Sequence, residues 1–429
     1  MVFLHRLSSL LVPLATLTVF LFTNLSAVKQ PSAPAFVEQA FNGAVGPRTA
    51  LRIFVYDLRY EYSLEAFLKS LKEEKTNPKS NCDWNMDVCE EQWTGLYSML
   101  RQCGGDAILI QKFRRYPRRV YDPDDADLFV VPYPHSSFCR FLVNPKWNGC
   151  KGKHHQRQVS GMLDSLQHFN NATRKLHLFL LCCDTPHHQR ALLEMPLYVS
   201  LGGQEFRGST NIVIPPPNTE PHYQPSALAK FDWVKPRTIA VFVQLSLMNA
   251  IRRNAFELLN KTKSIAGLPV EVHEIRGRRQ FTMSAKKTWE KYRSSYFCPI
   301  LEGDMPFQKR FFDVVLSGCL PVVVAFPAAG GNPHHSWFKN NTLGYNFTHP
   351  FSSMIRYSEF VVQIDDLGDI VSTLHQLLKD PVTIRRMQTA LGKVVSKFSY
   401  GLGRDFMAPG DAFDTLLLSL EDYVKHLKH

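Results

Sequence analysis

The sequence lacks the short metal-binding and catalytic motifs that would reveal its chemistry directly. It contains neither a CxxC pair nor an HExxH run, so no structural zinc site is expected. A Gly-rich phosphate-binding fingerprint is also missing. Internal repeats and low-complexity blocks are absent, and the 23 glycines and 27 prolines in 429 residues are near average usage. These absences exclude repeat arrays, collagen-like chains and largely disordered proteins.

A basic stripe interleaved with aromatic residues is missing too, although the chain carries a formal net charge of +12. The Lys and Arg residues are scattered in small clusters, which disfavours nucleic-acid binding. A cleft that attracts the phosphate groups of a small ligand explains the charge more simply. With 429 residues, of which 45% are hydrophobic, the chain is globular and long enough for two domains.

The first 28 residues predict an uncleaved signal anchor. An apolar run from Leu7 to about Val28 follows Arg6, and its length is close to what a membrane-spanning helix needs. The positive charge before this run predicts a cytosolic N-terminus and a luminal remainder. A cleaved signal peptide ending near Ala27 is the alternative, but Leu25 occupies a position where a small residue is wanted. Residues 29–50 are rich in Pro, Ala and Gly and are predicted to form a stem.

Two further patterns favour a luminal location. Asn-x-Ser/Thr acceptor patterns for N-glycosylation occur at Asn171, Asn260, Asn340 and Asn346. The nine cysteines are typical of an oxidising compartment, and their odd number leaves at least one thiol unpaired or bridged between chains. Five of them lie in mostly polar stretches of the first half that are typical of disulfides: Cys82, Cys89, Cys103, Cys139 and Cys150. The neighbouring Cys182 and Cys183 are expected to pack as small hydrophobic residues.

Apolar strand-like runs alternate with helical patterns along the rest of the chain, which predicts an α/β protein with parallel sheets. A Pro-rich connection, at about 215–236, separates two such series. We therefore expect an N-terminal domain over 51–235, a second domain over 236–404 and a closing helix within 405–429. The predicted helix has its apolar residues on one side, at the spacing of a packed face: Phe413, Leu416, Leu417, Leu420 and Val424.

The most informative stretch is 292–326, which predicts a strand, a polar turn, a helix and a second strand. Such a unit is long enough for a right-handed parallel crossover, with its loop at the carboxyl ends of the strands, where ligands bind. The turn contains Gly303 and Asp304, and the helix begins with Lys309 and Arg310. The helix N-terminus and Arg310 suit a diphosphate. Asp313, on the same helix face, is placed to accept hydrogen bonds from ribose hydroxyls.

The same stretch resembles the nucleotide-sugar motif of exostosin-like glycosyltransferases, which form inverting glycosyltransferase family 47. The resembling residues are Phe297-Cys298, Gly303-Asp304, Arg310 to Asp313 and Gly318 to Val322. Similar elements occur in order elsewhere, at 52–58, 121–132, 237–242, 350–351 and 357–362. The resemblance implies a GT-B fold, in which two Rossmann-like domains face each other across a cleft. It also implies that Arg310 meets the donor diphosphate and that an acidic residue at the Asp313 position meets the ribose.

The family resemblance predicts a Golgi transferase that moves a sugar, most simply from a UDP-sugar, to a glycan or polysaccharide acceptor with inversion. The acidic run at 122–127 has the D-x-D spacing with which other transferases hold a divalent cation. Here it precedes a strand, where carboxylates more often cap a turn, so capping is favoured and no cofactor is expected.

The acceptor side departs from the family pattern. Where many members have a His-Asp pair, this chain has Cys183-Asp184. Inversion needs a base, and the two candidates are Asp184 and His135, each just past a predicted strand of the first domain. Two alternatives stay open: a non-catalytic partner subunit of a related transferase, and a luminal sulfotransferase.

Overall fold

The computed structural model describes residues 49–73, 104–138, 153–182, 196–201, 209–218, 220–247, 249–275, 283–301, 309–324 and 349–428. The strands in these ranges are β1 Ile53–Val55, β2 Arg119–Val120, β3 Leu128–Val131, β4 His177–Leu181, β5 Leu197–Ser200, β6 Thr210–Val213, β7 Ile239–Leu245, β8 Ser264–Ile265, β9 Leu268–Glu274, β10 Ser295–Ile300, β11 Leu320–Val324 and β12 Val362–Ile364. The α-helices are α1 Leu64–Glu73, α2 Gly105–Arg114, α3 His135–Ser137, α4 Lys153–Asp164, α5 Pro225–Ala229, α6 Ala250–Lys261, α7 Ala285–Arg293, α8 Lys309–Leu316, α9 Ile370–Leu378, α10 Pro381–Val394 and α11 Ala412–Lys428.

The strands form two six-stranded sheets, which confirms the predicted α/β class. The first sheet has the order β2-β1-β3-β4-β5-β6, and all its strands pair in parallel. The second has the order β12-β11-β10-β7-β9-β8 and is parallel except for the short β8, which pairs antiparallel to β9. Every residue of β3, β4, β7 and β11 is buried. Continuous burial of this kind explains the uninterrupted apolar runs of the sequence, because both faces of a parallel sheet are covered.

Each sheet has a point at which the strand order reverses. In the second sheet the chain leaves β7 for β9 on one side and later returns to β10 on the other side. In the first sheet it passes from β1 to β2 on one side and then to β3 on the other side. The carboxyl ends of the strands at such points form crevices in which α/β proteins bind ligands.

Most predicted elements are present, with shorter strands at several places. The helix expected from Asn249 begins at Ala250, and the Asn249 side chain accepts a hydrogen bond of 2.9 Å from the Arg252 backbone N–H. The predicted boundary at 235 falls between β6 and β7. Helix α2 and strand β5 are additional elements that the sequence reasoning missed. The predicted helix over 88–103 lies outside the described residues.

The closing helix α11 extends over 412–428, and its five predicted apolar residues are all buried. It packs on the first half of the chain, since the Phe113 and Phe413 ring centroids are 5.0 Å apart. The Tyr423 hydroxyl donates a hydrogen bond of 2.9 Å to the carbonyl of Lys175. The C-terminal segment therefore contributes to the core around the first sheet.

Two cysteines in the second half form a disulfide that the sequence reasoning did not identify. Cys298 in β10 and Cys319, just before β11, are both buried and are 21 residues apart. The bond closes the loop that contains α8. Cys182 is buried with a free thiol, and burial raises its pKa well above the ordinary value, which confirms its expected role as a small packed residue. The five cysteines expected to pair in the first half lie outside the described residues.

No helix of the described residues is both long and apolar enough to cross a bilayer. The predicted anchor at 1–28 and most of the stem at 29–50 lie outside those residues.

Candidate functional site

A cavity of about 480 Å³ lies at the carboxyl ends of β7 and β9, beside the reversal point of the second sheet. Its described lining comes from five parts of the chain: the segment 220–223, the end of β7, the end of β9, residues 283–292 at and just before helix α7, and the first two turns of α8. The lining residues are Glu220, His222, Tyr223, Gln244, Ile275, Met283, Ser284, Thr288, Trp289, Tyr292, Lys309, Arg310 and Asp313. The volume is in the range of pockets that bind small molecules. The structure thus brings the three predicted helix residues to one cavity.

Arg310 presents an unsatisfied donor at this cavity. Its Nη1 atom is buried and has no hydrogen-bond partner among the described residues. Burying a charged donor without an acceptor is costly, and guanidinium groups bind phosphate through paired hydrogen bonds. The position of Arg310 in the first turn of α8 adds the positive end of the helix to its own charge. An anionic group bound here would satisfy the donor.

Lys309 and Asp313 form an ion pair on the same helix. Lys309 Nζ lies 2.6 Å from Asp313 Oδ1, and the two side chains are 30% and 24% exposed. Sequence reasoning placed Asp313 beside Arg310 on the helix face and did not foresee the pairing with Lys309. The ion pair fixes one carboxylate oxygen at the cavity wall. Asp313 neutralises one of the two cations, Lys309 and Arg310. These three side chains together therefore keep one net positive charge.

Aromatic side chains form another part of the lining. The ring centroids of His222 and Trp289 are 4.2 Å apart, with an angle of 37° between the planes. Burial, together with the nearby Arg293 and Lys309, lowers the pKa of His222 to about 4, so this imidazole is neutral at pH 7. Burial raises the pKa of Tyr292 to about 12. The cavity lining therefore combines neutral aromatic side chains with the cationic first turn of α8, and the Arg293 guanidinium carbon lies 4.7 Å from the centre of the Trp289 ring.

Tyr223 ties the segment 220–223 to the cationic helix. Its hydroxyl lies 3.2 Å from Ser317 Oγ and 3.4 Å from the backbone carbonyl of Asp313. On the other side of the cavity, Thr288 Oγ1 donates a hydrogen bond of 3.3 Å to Gln244 Oε1. Sequence reasoning missed His222, Tyr223 and Trp289 as site residues. No local pattern marks them, because their shared position arises only when three distant segments meet.

Of the two candidate bases, only His135 lies within the described residues. His135 begins the single helical turn α3, four residues after β3, and it is 4% exposed. The fully buried Asp106 holds this turn, since its carboxylate accepts hydrogen bonds from the backbone N–H of Ser137 at 3.0 Å and from its hydroxyl at 2.7 Å. Burial raises the pKa of Asp106 to about 6. Asp184, Gly303 and Asp304 lie outside the described residues.

The acidic residues at 122–127, just before β3, cap a turn and form hydrogen bonds with basic residues. The side chain of Asp122 accepts a hydrogen bond of 3.0 Å from the Asp124 backbone N–H, and Asp122 is the N-cap of a 3₁₀ turn over Pro123–Asp125. Asp127 accepts hydrogen bonds from the backbone N–H of Arg52 at 3.0 Å and from Lys428 Nζ at 3.0 Å. The expected capping role is confirmed. Within the described ranges, no group of three or more His, Cys, Asp or Glu side chains is arranged to hold a metal ion.

Two of the four predicted glycosylation positions belong to the part of the chain that the structure describes. Asn171 precedes the 3₁₀ turn Arg174–Leu176, and Asn260 lies near the end of α6; both side chains are exposed. Asn340 and Asn346 lie outside the described residues. Glycosylation of all four positions stays a prediction.

The chain matches one family model and is similar to several solved structures. The family model of the exostosin GT47 domain matches residues 47–380. No curated protein matches the chain. Similar solved structures include an α1,3-fucosyltransferase, with 11% identity over 91% of this chain and 94% of that chain and a TM-score of 0.36. Anabaena HepE in complex with UDP has 10% identity over 88% and 99% of the two chains, with a TM-score of 0.29. The same protein in complex with UDP-glucose has 11% identity over 88% and 99%, with a TM-score of 0.26.

Proposed function

Since the chain belongs to the exostosin GT47 family of glycosyltransferases, we propose that it transfers a sugar from a UDP-sugar to a glycan or polysaccharide acceptor with inversion. The donor binds in the cavity between α7 and α8. In the GT-B fold that the family resemblance implies, the two sheets face each other across a cleft, and the acceptor approaches from the first half.

The observation that carries this proposal is that Arg310 lines the cavity while its buried Nη1 has no hydrogen-bond partner among the described residues. A donor diphosphate beside the first turn of α8 would accept its hydrogen bonds and meet the positive end of the helix. Lys309, in the same turn, adds a second cation. Negative charge develops on the leaving diphosphate during transfer, so these groups stabilise the transition state more than the ground state.

The rest of the nucleotide fits the remaining lining. The Asp313 carboxylate accepts hydrogen bonds from ribose hydroxyls, with its orientation held by Lys309. The neutral ring pair of His222 and Trp289 provides a surface on which a pyrimidine base stacks. Base stacking on aromatic side chains is worth about 1–3 kcal/mol per base.

In the transfer step, the acceptor hydroxyl oxygen attacks the anomeric carbon from the face opposite the diphosphate. The bond between that carbon and the phosphate oxygen breaks, and the hydroxyl proton passes to a base. Asp184 and His135 both stay candidates for this base. In this scheme Arg310 and the positive end of α8 stabilise the leaving diphosphate without a divalent ion, and we expect transfer to persist in EDTA.

The test uses the full-length chain, purified in mild detergent, with a panel of UDP-sugars and glycan acceptors. Arg310→Ala is expected to weaken donor binding roughly 10- to 100-fold, because it removes hydrogen bonds between charged groups. Arg356→Ala is the matched control, since the Arg356 side chain is 86% exposed and pairs only with Glu359 among the described residues. Titration calorimetry reports donor affinity, and release of UDP reports turnover.

The outcomes separate the competing functions. Transfer by the unmodified chain, with loss in Arg310→Ala alone, supports the proposal. Donor binding without turnover favours the non-catalytic partner subunit. If no UDP-sugar binds, or if Arg310→Ala binds the donor as tightly as the control, the proposed site is refuted.

The proposal also places the chain in the Golgi membrane as a single-pass type II protein with a luminal catalytic part. The apolar run after Arg6 and the buried disulfide between Cys298 and Cys319 support it, because structural disulfides persist in oxidising compartments. An N-terminal epitope tag retained on the mature protein, with the C-terminus protected inside sealed vesicles, is the expected result. Loss of the tag would instead indicate a cleaved signal peptide.

A further inference from the structure

A second cavity, of about 550 Å³, lies in the first half of the chain at the ends of β1 and β2. It is separate in its lining from the proposed donor cavity, since no described residue belongs to both. The side chains that give it chemical character are Asp57, Glu65, Arg114, Arg119 and Tyr121. None of them has a role in the transfer step described above.

Tyr121 provides an exposed aromatic face at this cavity. Tyr121 is 80% exposed, although it directly follows strand β2. The Arg119 guanidinium carbon lies 4.9 Å from the centre of the Tyr121 ring, a distance at which a cation and an aromatic ring attract each other. The contact holds the ring beside the cavity and leaves most of its surface available.

Arg119 also has a hydrogen-bond donor without a partner among the described residues. Its Nε atom is buried and has no hydrogen-bond partner among the described residues, and its Nη1 donates to the carbonyl of Arg114 at 3.4 Å. Because Arg119 lines the cavity, a ligand oxygen that reached this buried donor would gain a hydrogen bond with it.

The charges around the cavity balance. Arg114 pairs with Glu65 through two contacts, one of which joins Nη2 to Oε2 at 3.3 Å. Arg119 and the exposed Asp57 carry the remaining positive and negative charges. Two arginines and two carboxylates sum to zero, in contrast to the net charge of +12 of the whole chain. A polyanion therefore gains no net attraction from these four groups, whereas a neutral ligand with many hydroxyls finds both donors and acceptors.

We infer that this cavity binds a neutral oligosaccharide, with one sugar ring stacked on Tyr121 and its hydroxyls bonded to Arg119 and to the carboxylates. The volume accommodates a small saccharide. The inference rests on the proposed function in one respect: the saccharide is taken to be part of the acceptor glycan, which this second site holds while its end reaches the donor.

The first experiment measures binding without any donor. The full-length chain is applied to an array of neutral and acidic oligosaccharides, and the best neutral ligand is titrated by calorimetry at 50 mM and 500 mM NaCl. We expect neutral glycans to bind with little salt dependence, because screening acts on charge–charge attraction. Preference for acidic glycans, with affinity that falls as salt rises, would overturn the assignment, as would the absence of binding to every neutral glycan.

Variants of Tyr121 test whether this cavity is where the saccharide binds. Tyr121→Ala is expected to weaken saccharide binding about tenfold, the usual effect of removing a central aromatic contact. Tyr121→Phe keeps the ring and should bind within about twofold of the unmodified chain. Tyr60→Ala is the matched control, since Tyr60 is 57% exposed in the same half and is not among the described residues of the cavity wall. Equal affinity in Tyr121→Ala and Tyr60→Ala would refute the site.

Donor binding distinguishes failure of this inference from failure of the proposed function. Tyr121→Ala should bind UDP-sugar like the unmodified chain and show a raised KM for the acceptor alone. If UDP-sugar does not bind to any version of the chain but saccharide binding still depends on Tyr121, the cavity assignment stands and the transferase proposal fails.

Discussion

Lys112 and Asp411 form an ion pair that is buried on both sides. Lys112 Nζ lies 2.9 Å from Asp411 Oδ2, and the side chains are 0% and 2% exposed. Asp411 also accepts hydrogen bonds of 2.9 Å from the backbone N–H groups of Gly401 and Asp414. The pair joins α2 of the first half to the segment that leads into α11. It therefore anchors the end of the chain to the core around the first sheet.

Replacing Lys112 by Met should destabilise the protein strongly. The change leaves the Asp411 carboxylate buried without its counter-charge, and breaking a buried pair in this way costs about 3–5 kcal/mol of unfolding free energy. Urea denaturation followed by tryptophan fluorescence measures the loss. Lys428→Met is the matched control, because Lys428 also joins α11 to the first half but is 60% exposed. The control should lose no more than about 1 kcal/mol.

A double variant, Lys112→Met with Asp411→Asn, separates the ion pair from simple packing. It removes both charges, so its loss of stability should be smaller than the sum of the two single losses. Additive losses would show that the two side chains act independently.

Gly318 and Gly267 provide a matched pair for a test of close packing. Both have positive φ angles, +80° and +82°, and both should suffer backbone strain of roughly 1–2 kcal/mol as alanine. A Cβ at Gly318 would lie 2.4 Å from Cε1 of Phe231, whereas a Cβ at Gly267 meets no atom within 4 Å. Gly318→Ala should therefore lose roughly 1–3 kcal/mol more than Gly267→Ala. Equal melting temperatures for the two variants would contradict the close packing of Phe231 on Gly318, in the turn between α8 and β11.

His177 should make the protein less stable as the pH decreases from about 6.5 to about 4. Its Nε2 accepts a hydrogen bond of 2.8 Å from the Tyr56 hydroxyl, and its Nδ1–H donates one of 2.9 Å to the Thr173 carbonyl. Burial lowers the pKa of His177 to about 4, below the unfolded value of about 6.5. In this pH range the unfolded chain binds a proton that the folded chain does not bind, so acid favours unfolding.

His177→Gln should reduce this pH dependence by up to one proton. Urea unfolding at pH 4.5, 5.5, 6.5 and 7.5 gives the slope of the unfolding free energy against pH. His426→Gln is the control, since it removes an imidazole whose side chain is 77% exposed. A slope in His177→Gln as steep as in the control would show that His177 is not the titrating group.

Local patterns in the sequence were sufficient for several elements and for part of the site. The spacing of Phe413, Leu416 and Leu420 predicted one buried face of α11, and the structure buries all three. The strand–loop–helix–strand pattern predicted that Lys309, Arg310 and Asp313 share the first turns of a helix. These predictions needed only the 3.6-residue helical period and the length of a buried strand.

Two elements were missed for local reasons. Helix α2 contains the run Ala107 to Ile110, which is buried throughout and gives no clear helical period. Strand β5 is only four residues long. The disulfide was missed for a different reason, since nine cysteines allow many pairings and only adjacent strands bring Cys298 beside Cys319.

The sequence by itself determined the α/β class, the family and the helix that carries the cations, because each depends on residues close together in the chain. Only the tertiary structure decided which distant residues complete the cavity. His222 and Trp289 are 67 positions apart, Lys112 and Asp411 are 299 apart, and their contacts arise from the packing of whole elements. Short-range patterns carry no information about such contacts, because side chains that meet across elements need not share any local spacing.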